Sequence, residues 1–258
     1  YRNMIKVVKI GGNVVDNPSL LREFVRDFAA MPGMKVLIHG GGVMASQMQK
    51  EMGIKPMMVE GRRVTDEEAL RIVTMVYAGL VNKQIVAKLQ AAGCNAIGLS
   101  GADGNIVRAH RRVAKPIDYG FVGDIDEVDA TMLRSLLEAG LTPVFSAIMH
   151  DGAGTLLNCN ADSVTQAVAL GAARLAPTDL VFCFEKKGVL RDAEDESSVI
   201  AHITPESYAT LKAEDIVSGG MIPKIENALR AVEEGVRTVR IKHADDLLCE
   251  AGTTICNA

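Results

Sequence analysis

Val36-Leu37-Ile38-His39-Gly40-Gly41-Gly42 is the stretch whose reading decides the fold. Val36 to Ile38 is a short β-branched and aliphatic run, the composition of a buried strand. Three consecutive glycines follow, and a helical pattern begins at Val43. A strand that runs into glycines ahead of a helix is a recipe for an anion site. The bare backbone approaches an oxygen cluster closely, its N–H groups converge, and the helix dipole favours negative charge. A tight turn accounts for one glycine. Three in a row at this junction carry an entropic cost that a plain turn does not require.

Upstream, Val7-Val8-Lys9-Ile10 is another strand, with a lysine at its exit and Gly11-Gly12 after it. Asn17-Pro18 is a cap and first-turn pair. Leu20, Leu21, Phe24, Val25 and Phe28 then repeat at helical spacing until Met31-Pro32-Gly33. The opening is therefore β-α-β-α, with both strands discharging into glycine. That is the pattern of a parallel α/β sheet covered on both faces, whose ligands sit beyond the carboxyl ends of the strands.

Downstream, the helix from Val43 carries Met44, Met48 and Met52 as core residues and stops at Gly53. Val59 to Val64 reads as a hairpin arm, and Thr65-Asp66-Glu67-Glu68 as a capping box with Thr65 as the cap. A helical pattern runs through Leu70, Val73, Tyr77, Leu80 and Leu89 to Gly93, with a break expected near Gly79. Residues 106–127 read as irregular sheet, Pro143 to Ile148 as one strand, and Leu156 to Asp162 as the entry to a helix ending near Ala173. Leu180 to Phe184 is a buried strand, Val236 to Ile241 another, and Ala244 to Glu250 a last helix. No internal repeat and no linker separates independent domains. The chain reads as two lobes sharing one sheet, residues 1–173 and 174–258.

Composition narrows the function. Lys plus Arg is 28, Asp plus Glu is 32 and there is no Trp, so no basic stripe suits nucleic acid. The five cysteines are odd in number and form no C-x-x-C pair, which fits small buried hydrophobes in a reducing cytosol better than disulfides or zinc. No apolar run approaches membrane-spanning length and no signal-peptide pattern precedes the first strand. The expectation is a cytoplasmic protein with no resident metal and neither nucleic-acid nor membrane partners.

The motifs point to phosphate. There is no G-x-x-x-x-G-K-[ST] and no G-x-G-x-x-G after a strand, which sets aside P-loop and dinucleotide folds. The His-Gly-Gly-Gly string also occurs in esterase oxyanion holes, but Gly98-Leu99-Ser100-Gly101 lacks the spacing of a nucleophile elbow. Lys9 gains weight from Gly11 and Gly12 beside it. Lys224 lies in a first helical turn, where cations are disfavoured, and so points to function. By themselves Asp162, Asn158 and Asn160 read equally well as a helix-terminus acid and caps. Arg62 reads as a surface residue and His39 as a core or turn histidine.

Five strings in order resemble the amino acid kinase family over nearly the whole chain. They are Lys9-Ile10-Gly11-Gly12, His39-Gly40-Gly41-Gly42, Gly61-Arg62-Arg63-Val64-Thr65, Asn158-Cys159-Asn160-Ala161-Asp162 and Gly220-Met221-Ile222-Pro223-Lys224. The third and fourth are similar to the branch that acts on N-acylated glutamate. The resemblance implies a three-layer αβα sandwich around a central, mainly parallel sheet. Residues 1–173 would bind the acylglutamate and dimerise, and residues 174–258 would bind the nucleotide. It implies ATP-dependent phosphorylation of the γ-carboxylate of N-acetyl-L-glutamate in arginine biosynthesis, with Mg2+ held mainly by the ATP phosphates. It also implies a homodimer insensitive to arginine.

By matching positions, the resemblance makes Lys9 and Lys224 the transition-state lysines and Asp162 their organiser. Gly41 and Gly42 contact substrate and the moving phosphoryl group, while Arg63 and Asn158 hold the amino acid. Gly11, Gly12, Glu185, Lys186, Lys187, Gly188, Val189, Leu190, Ile216, Val217 and Ser218 line the nucleotide. The family usually carries aspartate where Glu185 stands. The residue chemistry agrees: a γ-carboxylate, with a reference pKa of ~4.3, is already ionised at neutral pH, so the task is neutralising charge rather than removing a proton. Arg62 beside Arg63, with no aromatic bulk nearby, would also admit a charged acyl group such as succinyl. Another small-carboxylate kinase and a non-catalytic ligand sensor are the remaining alternatives, although binding alone does not need both lysines.

Overall fold

The computed structural model describes residues 4–217 and 221–257. Ile5–Ile10 and Met34–His39 pair in parallel with Ile10 opposite His39, so both strands end at the same level, each against its glycines. Thr178–Phe184 pairs in parallel on the other side of Ile5–Ile10, placing Phe182 opposite Lys9.

These strands form the centre of an eight-stranded sheet. Its order is His202–Ile203, Thr253–Ile255, Thr238–His243, Thr178–Phe184, Ile5–Ile10, Met34–His39, Thr142–Phe145, Ala96–Leu99. The pairing is parallel throughout except between Thr253–Ile255 and Thr238–His243. One side of the sheet comes from the later part of the chain and the other from the earlier part. They join at the pair Ile5–Ile10 and Thr178–Phe184.

Alternation along the strands builds two apolar layers. Ile5, Val7, Val36, Ile38 and Leu180 pack with Val164 and Val168 of helix Ala161–Ala173 and with Ile225 and Val232 of helix Met221–Glu233. Val8, Ile10, Leu37 and Val181 pack on the other face with Phe24 and Phe28 of helix Pro18–Ala30 and with Ile72, Ile85 and Leu89. The result is the expected αβα sandwich. Lys9 continues the Ile5–Val7 series, so it belongs to the face covered by helices Ala161–Ala173 and Met221–Glu233.

Local readings differ at five places, the first being Met52, read as core but 53% exposed at the end of its helix. Asp66, not Thr65, caps the helix at Glu67: its Oδ1 accepts from the Ala69 amide at 2.8 Å. The Thr65 hydroxyl is engaged elsewhere, donating to the Arg63 carbonyl at 3.0 Å and accepting from Asn158 Nδ2 at 3.1 Å. The helix expected to break near Gly79 is continuous over Glu67–Ala91, because a π-helical segment, Thr74–Val81, absorbs the irregularity. This helix is long and apolar enough to span a membrane, yet Ile72, Val73, Val76, Val81, Ile85 and Leu89 are buried in the core.

The stretch expected as one strand from Pro143 to Ile148 is two, Thr142–Phe145 and Ile148–His150. The chain leaves the main sheet there and enters a closed four-stranded barrel with Val107–Arg111, Val122–Val128 and Leu156–Cys159. The last helix shrinks to one 3-10 turn, Ala244–Asp246. The buried Lys242 ammonium takes the carbonyls of Asp246 at 3.0 Å, Leu247 at 3.5 Å and Cys249, and the first of these is an acceptor that the expected helix would use internally.

Candidate active site

The site forms where the parallel strands end. Lys9 reaches from the strand Ile5–Ile10 to Asp162, with Nζ 3.0 Å from Oδ1. Asp162 is held in the first turn of helix Ala161–Ala173 by Asn160, whose Oδ1 accepts from the Asp162 amide at 2.9 Å and the Ser163 amide at 3.1 Å. Asn160 is thus a cap, and the residue it caps carries the functional carboxylate. Lys224 approaches from the first turn of helix Met221–Glu233. Its Nζ sits 4.1 Å from the centroid of the Phe184 ring, and Lys9 Nζ lies 5.8 Å from the same centroid. The resemblance makes Asp162 the organiser of both lysines. Its side chain is 42% exposed and is paired with Lys9, while Lys224 rests on an aromatic face.

Three cavities adjoin here. The largest, about 550 Å3, is lined by Asp162, Lys224, Phe182 and Phe184. A second of about 340 Å3 is walled by Gly11, Gly12, Glu185, Lys186 and Gly188 and shares Phe184 and Lys224 with the first. A third of about 220 Å3 is walled by Gly41, Gly42, Arg63, Asn158 and Tyr77 and shares Gly61, Arg62 and Asn160 with the first.

In the third cavity, Arg63 is only 6% exposed. Its Nη2 donates to the Gly42 carbonyl at 2.9 Å and to Ser46 Oγ at 2.7 Å, and Nη1 donates to Gln49 Oε1. Its Nε is buried with no hydrogen-bond partner among the described residues, leaving a donor for a ligand. Gly41 precedes helix Gly42–Glu51 with no side chain capping the first-turn amides. A side chain there would meet Tyr77, since a Cβ would lie 3.0 Å from Tyr77 Cδ1. Burial raises the Tyr77 phenol pKa, and the Arg63 charge beside it works in the opposite direction.

His39 is fully buried; its Nδ1–H donates to the Gly40 carbonyl at 2.8 Å, and Nε2 accepts from Asn82 Nδ2 at 3.0 Å. Desolvation lowers its pKa to about 4, so the ring is neutral and braces the glycine turn rather than moving protons.

On the other side, Gly11, Gly12, Glu185, Lys186 and Gly188 come together. Gly188 is required by close packing, because a Cβ would lie 2.8 Å from Thr253 Oγ1. Lys187 turns away toward Glu196, 3.8 Å distant. Val189 is a core residue whose amide donates to Thr253 Oγ1 at 2.8 Å, Leu190 bridges to Val199, Ile216 packs against the core and Val217 is buried. Ser218 lies outside the described residues.

Residues that the sequence reading passed over also meet here. In the sequence Tyr77 reads as helix core, and Phe182 and Phe184 as strand core. Arg112 gave no motif; it lines the third cavity, its Nε and Nη2 bind the Asp124 carboxylate, and its Nη1 is buried and unpartnered among the described residues. Two aromatic residues alternating at the end of a strand, just before Glu185, were the one available signal for Phe184.

The arrangement offers two lysine ammonium groups, uncapped backbone amides and a recessed guanidinium. It is suited to joining two anions and stabilising charge on a group passing between them.

The family model described as the amino acid kinase family matches residues 4–243. An acetylglutamate kinase from Phocaeicola vulgatus is 48% identical over 254 residues, covering 98% of this chain and 99% of its own length. One from Cytophaga hutchinsonii is 50% identical over 243 residues, covering 94% and 92%. A crystal structure of a protein from Streptococcus mutans superposes with a TM-score of 0.77 at 28% identity, covering 98% and 99%.

Proposed function

The chain belongs to the amino acid kinase family, and from that premise we propose that it transfers the γ-phosphoryl group of ATP to the γ-carboxylate of N-acetyl-L-glutamate. The products are ADP and N-acetylglutamyl 5-phosphate, a step of arginine biosynthesis. The observation that carries the reading is the Lys9–Asp162 ion pair facing Lys224 across Phe184, set between a glycine-walled and an arginine-walled cavity.

In this reading the acylglutamate occupies the third cavity. Arg63 and Asn158 take its α-carboxylate; a guanidinium with a free, buried N–H suits a carboxylate because its donors are planar and fixed. The ATP phosphates occupy the cavity of Gly11, Gly12 and Lys186. Lys9 and Lys224 neutralise the moving phosphoryl group from opposite halves of the chain, and amides at Gly41 and Gly42 complete the cradle. One such donor is worth about 10²–10³ in rate. Glu185 is the one carboxylate lining the phosphate cavity among the described residues, which fits an Mg2+ that takes most of its oxygens from phosphate and water. In this reading the acylglutamate is held by residues 1–173, and the nucleotide mainly by residues 174–258 with Gly11 and Gly12 added from the first strand's exit. Met75 and Leu80, large and exposed on the long helix, support pairing of two copies through that face.

A second reading keeps the reaction and changes the acyl group to succinyl. It is favoured by Arg112, whose Nη1 has no hydrogen-bond partner among the described residues, and by Arg62, both in the wall of the acylglutamate cavity. ADP release with MgATP, in the presence of hydroxylamine to trap the acyl phosphate, tests both. Turnover of N-acetylglutamate with the higher kcat/KM supports the first reading, and preference for N-succinylglutamate supports the second. Turnover of free glutamate or aspartate alone would reject both.

A further inference from the structure

We infer that Phe184 is a positioning residue for phosphoryl transfer, its ring face holding the Lys224 ammonium beside Lys9 where a second carboxylate would otherwise be needed. The inference rests on the catalytic reading of Lys224 given above.

Phe184 is the last residue of Thr178–Phe184, two positions beyond Phe182, which stands opposite Lys9 in the neighbouring strand. The two rings stack with centroids 5.8 Å apart and planes within 6° of parallel, so the Phe182 ring supports that of Phe184. Lys224 Nζ lies 4.1 Å from its centroid and Lys9 Nζ 5.8 Å. Both distances fall within the range in which a ring quadrupole attracts a cation.

The electrostatics explain why a ring serves here. Lys9 is neutralised by Asp162 at 3.0 Å, whereas Lys224 makes no ion pair among the described residues. Lys224 also starts from an unfavourable place, the first turn of a helix, where the dipole opposes positive charge. Two ammonium groups brought to one phosphoryl group repel each other, and something must hold the second in place. A carboxylate would do so while cancelling the charge that the transition state needs. A ring attracts the ammonium yet leaves its N–H donors and full charge for phosphate oxygens. Phe184 lines both of the larger cavities, at the junction the phosphoryl group crosses, and it cannot itself hydrogen-bond phosphate.

The test is a series of mono-, di- and trifluorophenylalanine at position 184, which withdraws charge from the ring face at nearly constant shape. Turnover is measured with MgATP and whichever N-acylglutamate is the better substrate in the assay above. The expected result is a stepwise fall in kcat, roughly two- to thirtyfold across the series, the rate equivalent of one cation–π contact. KM for the acylglutamate and the melting temperature should stay level. Phe184→Leu should lose turnover, and Phe184→Tyr, which restores an aromatic face, should recover most of it. A kcat indifferent to fluorination would overturn the inference, because packing alone would then account for the ring. Lys224→Met separates the two readings. If it turns over like the parent, the catalytic role of Lys224 fails; if it is inactive while the fluorinated series is flat, only the role of Phe184 fails.

Discussion

At His39 a single side chain ties the glycine turn to the sheet, and its charge state makes stability depend on pH. The folded pKa of about 4 lies below the reference of ~6.5. The neutral ring is therefore the form the fold prefers, and its contribution is complete above pH ~6.5. It is lost as pH falls from there through about 4, where the ring must charge inside the core. Between pH 7.5 and 5 the loss should reach about 2 kcal/mol. Urea unfolding of the parent and of His39→Gln at the two pH values checks it, since the variant should lack this part of the decline. Equal declines would mean that carboxylates alone set the acid limb.

Arg63 makes a second prediction at this scale. Its Nη groups are committed to Gly42, Ser46 and Gln49, and only a fork can serve them while keeping Nε for a ligand. Arg63→Lys should cut kcat/KM for the acylglutamate by about 10- to 100-fold, the size of one or two hydrogen bonds to a charged group. A KM for ATP that rises in step would place the arginine on the wrong substrate. Lys9 stands out in the sequence because Gly11 and Gly12 follow its strand, whereas Arg63 is singled out only by the resemblance, through its place in Gly61-Arg62-Arg63-Val64-Thr65. Phe184, Tyr77 and Arg112 do not stand out, because an aromatic residue in an apolar strand or helix looks like core, and an arginine with an acidic partner looks like surface. Only the third dimension puts those side chains in a cavity wall.

At the scale of elements, the caps do more than end helices. Asn160 fixes the first turn of Ala161–Ala173 and so fixes Asp162 against Lys9. Asn160→Ala should cost about 1 kcal/mol of stability. It should also lower kcat more than Asn160→Asp, which keeps the cap; equal kcat values would detach the cap from catalysis. The buried strands were readable from composition, and so was the cap at Asn17. The cap at Asp66 was not, because Thr65, Asp66 and Glu68 satisfy two start patterns equally. The choice is made by Asn158, far along the chain, which claims the Thr65 hydroxyl. The π-helical segment was hidden for a related reason. Gly79 suggests a break, but the demand that both Tyr77 and Asn82 face inward, one toward Gly41 and the other toward His39, is a tertiary constraint.

Over the whole molecule, the sheet joins an early half carrying Lys9, Gly41 and Arg63 to a late half carrying Glu185, Lys186 and Lys224. The proposed substrates are both anions, and their cavities communicate through a space lined by Lys224 and by Asp162, the ion-pair partner of Lys9. Bound side by side, two anions repel unless the cations between them screen the interaction. Lys9 is the better placed to do so, because it is largely enclosed, with 12% of its side chain exposed, and belongs to the strand on which the halves meet. Calorimetric titration of the acylglutamate, with and without the magnesium complex of a non-hydrolysable ATP analogue, measures the coupling. In the parent the nucleotide analogue should leave acylglutamate affinity unchanged or improved. In Lys9→Met the same analogue should weaken it by about fivefold or more, the lower end of ordinary coupling energies. By reciprocity the acylglutamate should then weaken the analogue by the same factor, which makes the measurement self-checking. If Lys9→Met binds both ligands independently, the cavities are too well screened by solvent for the lysine to be their mediator. Its role would then be confined to the transition state.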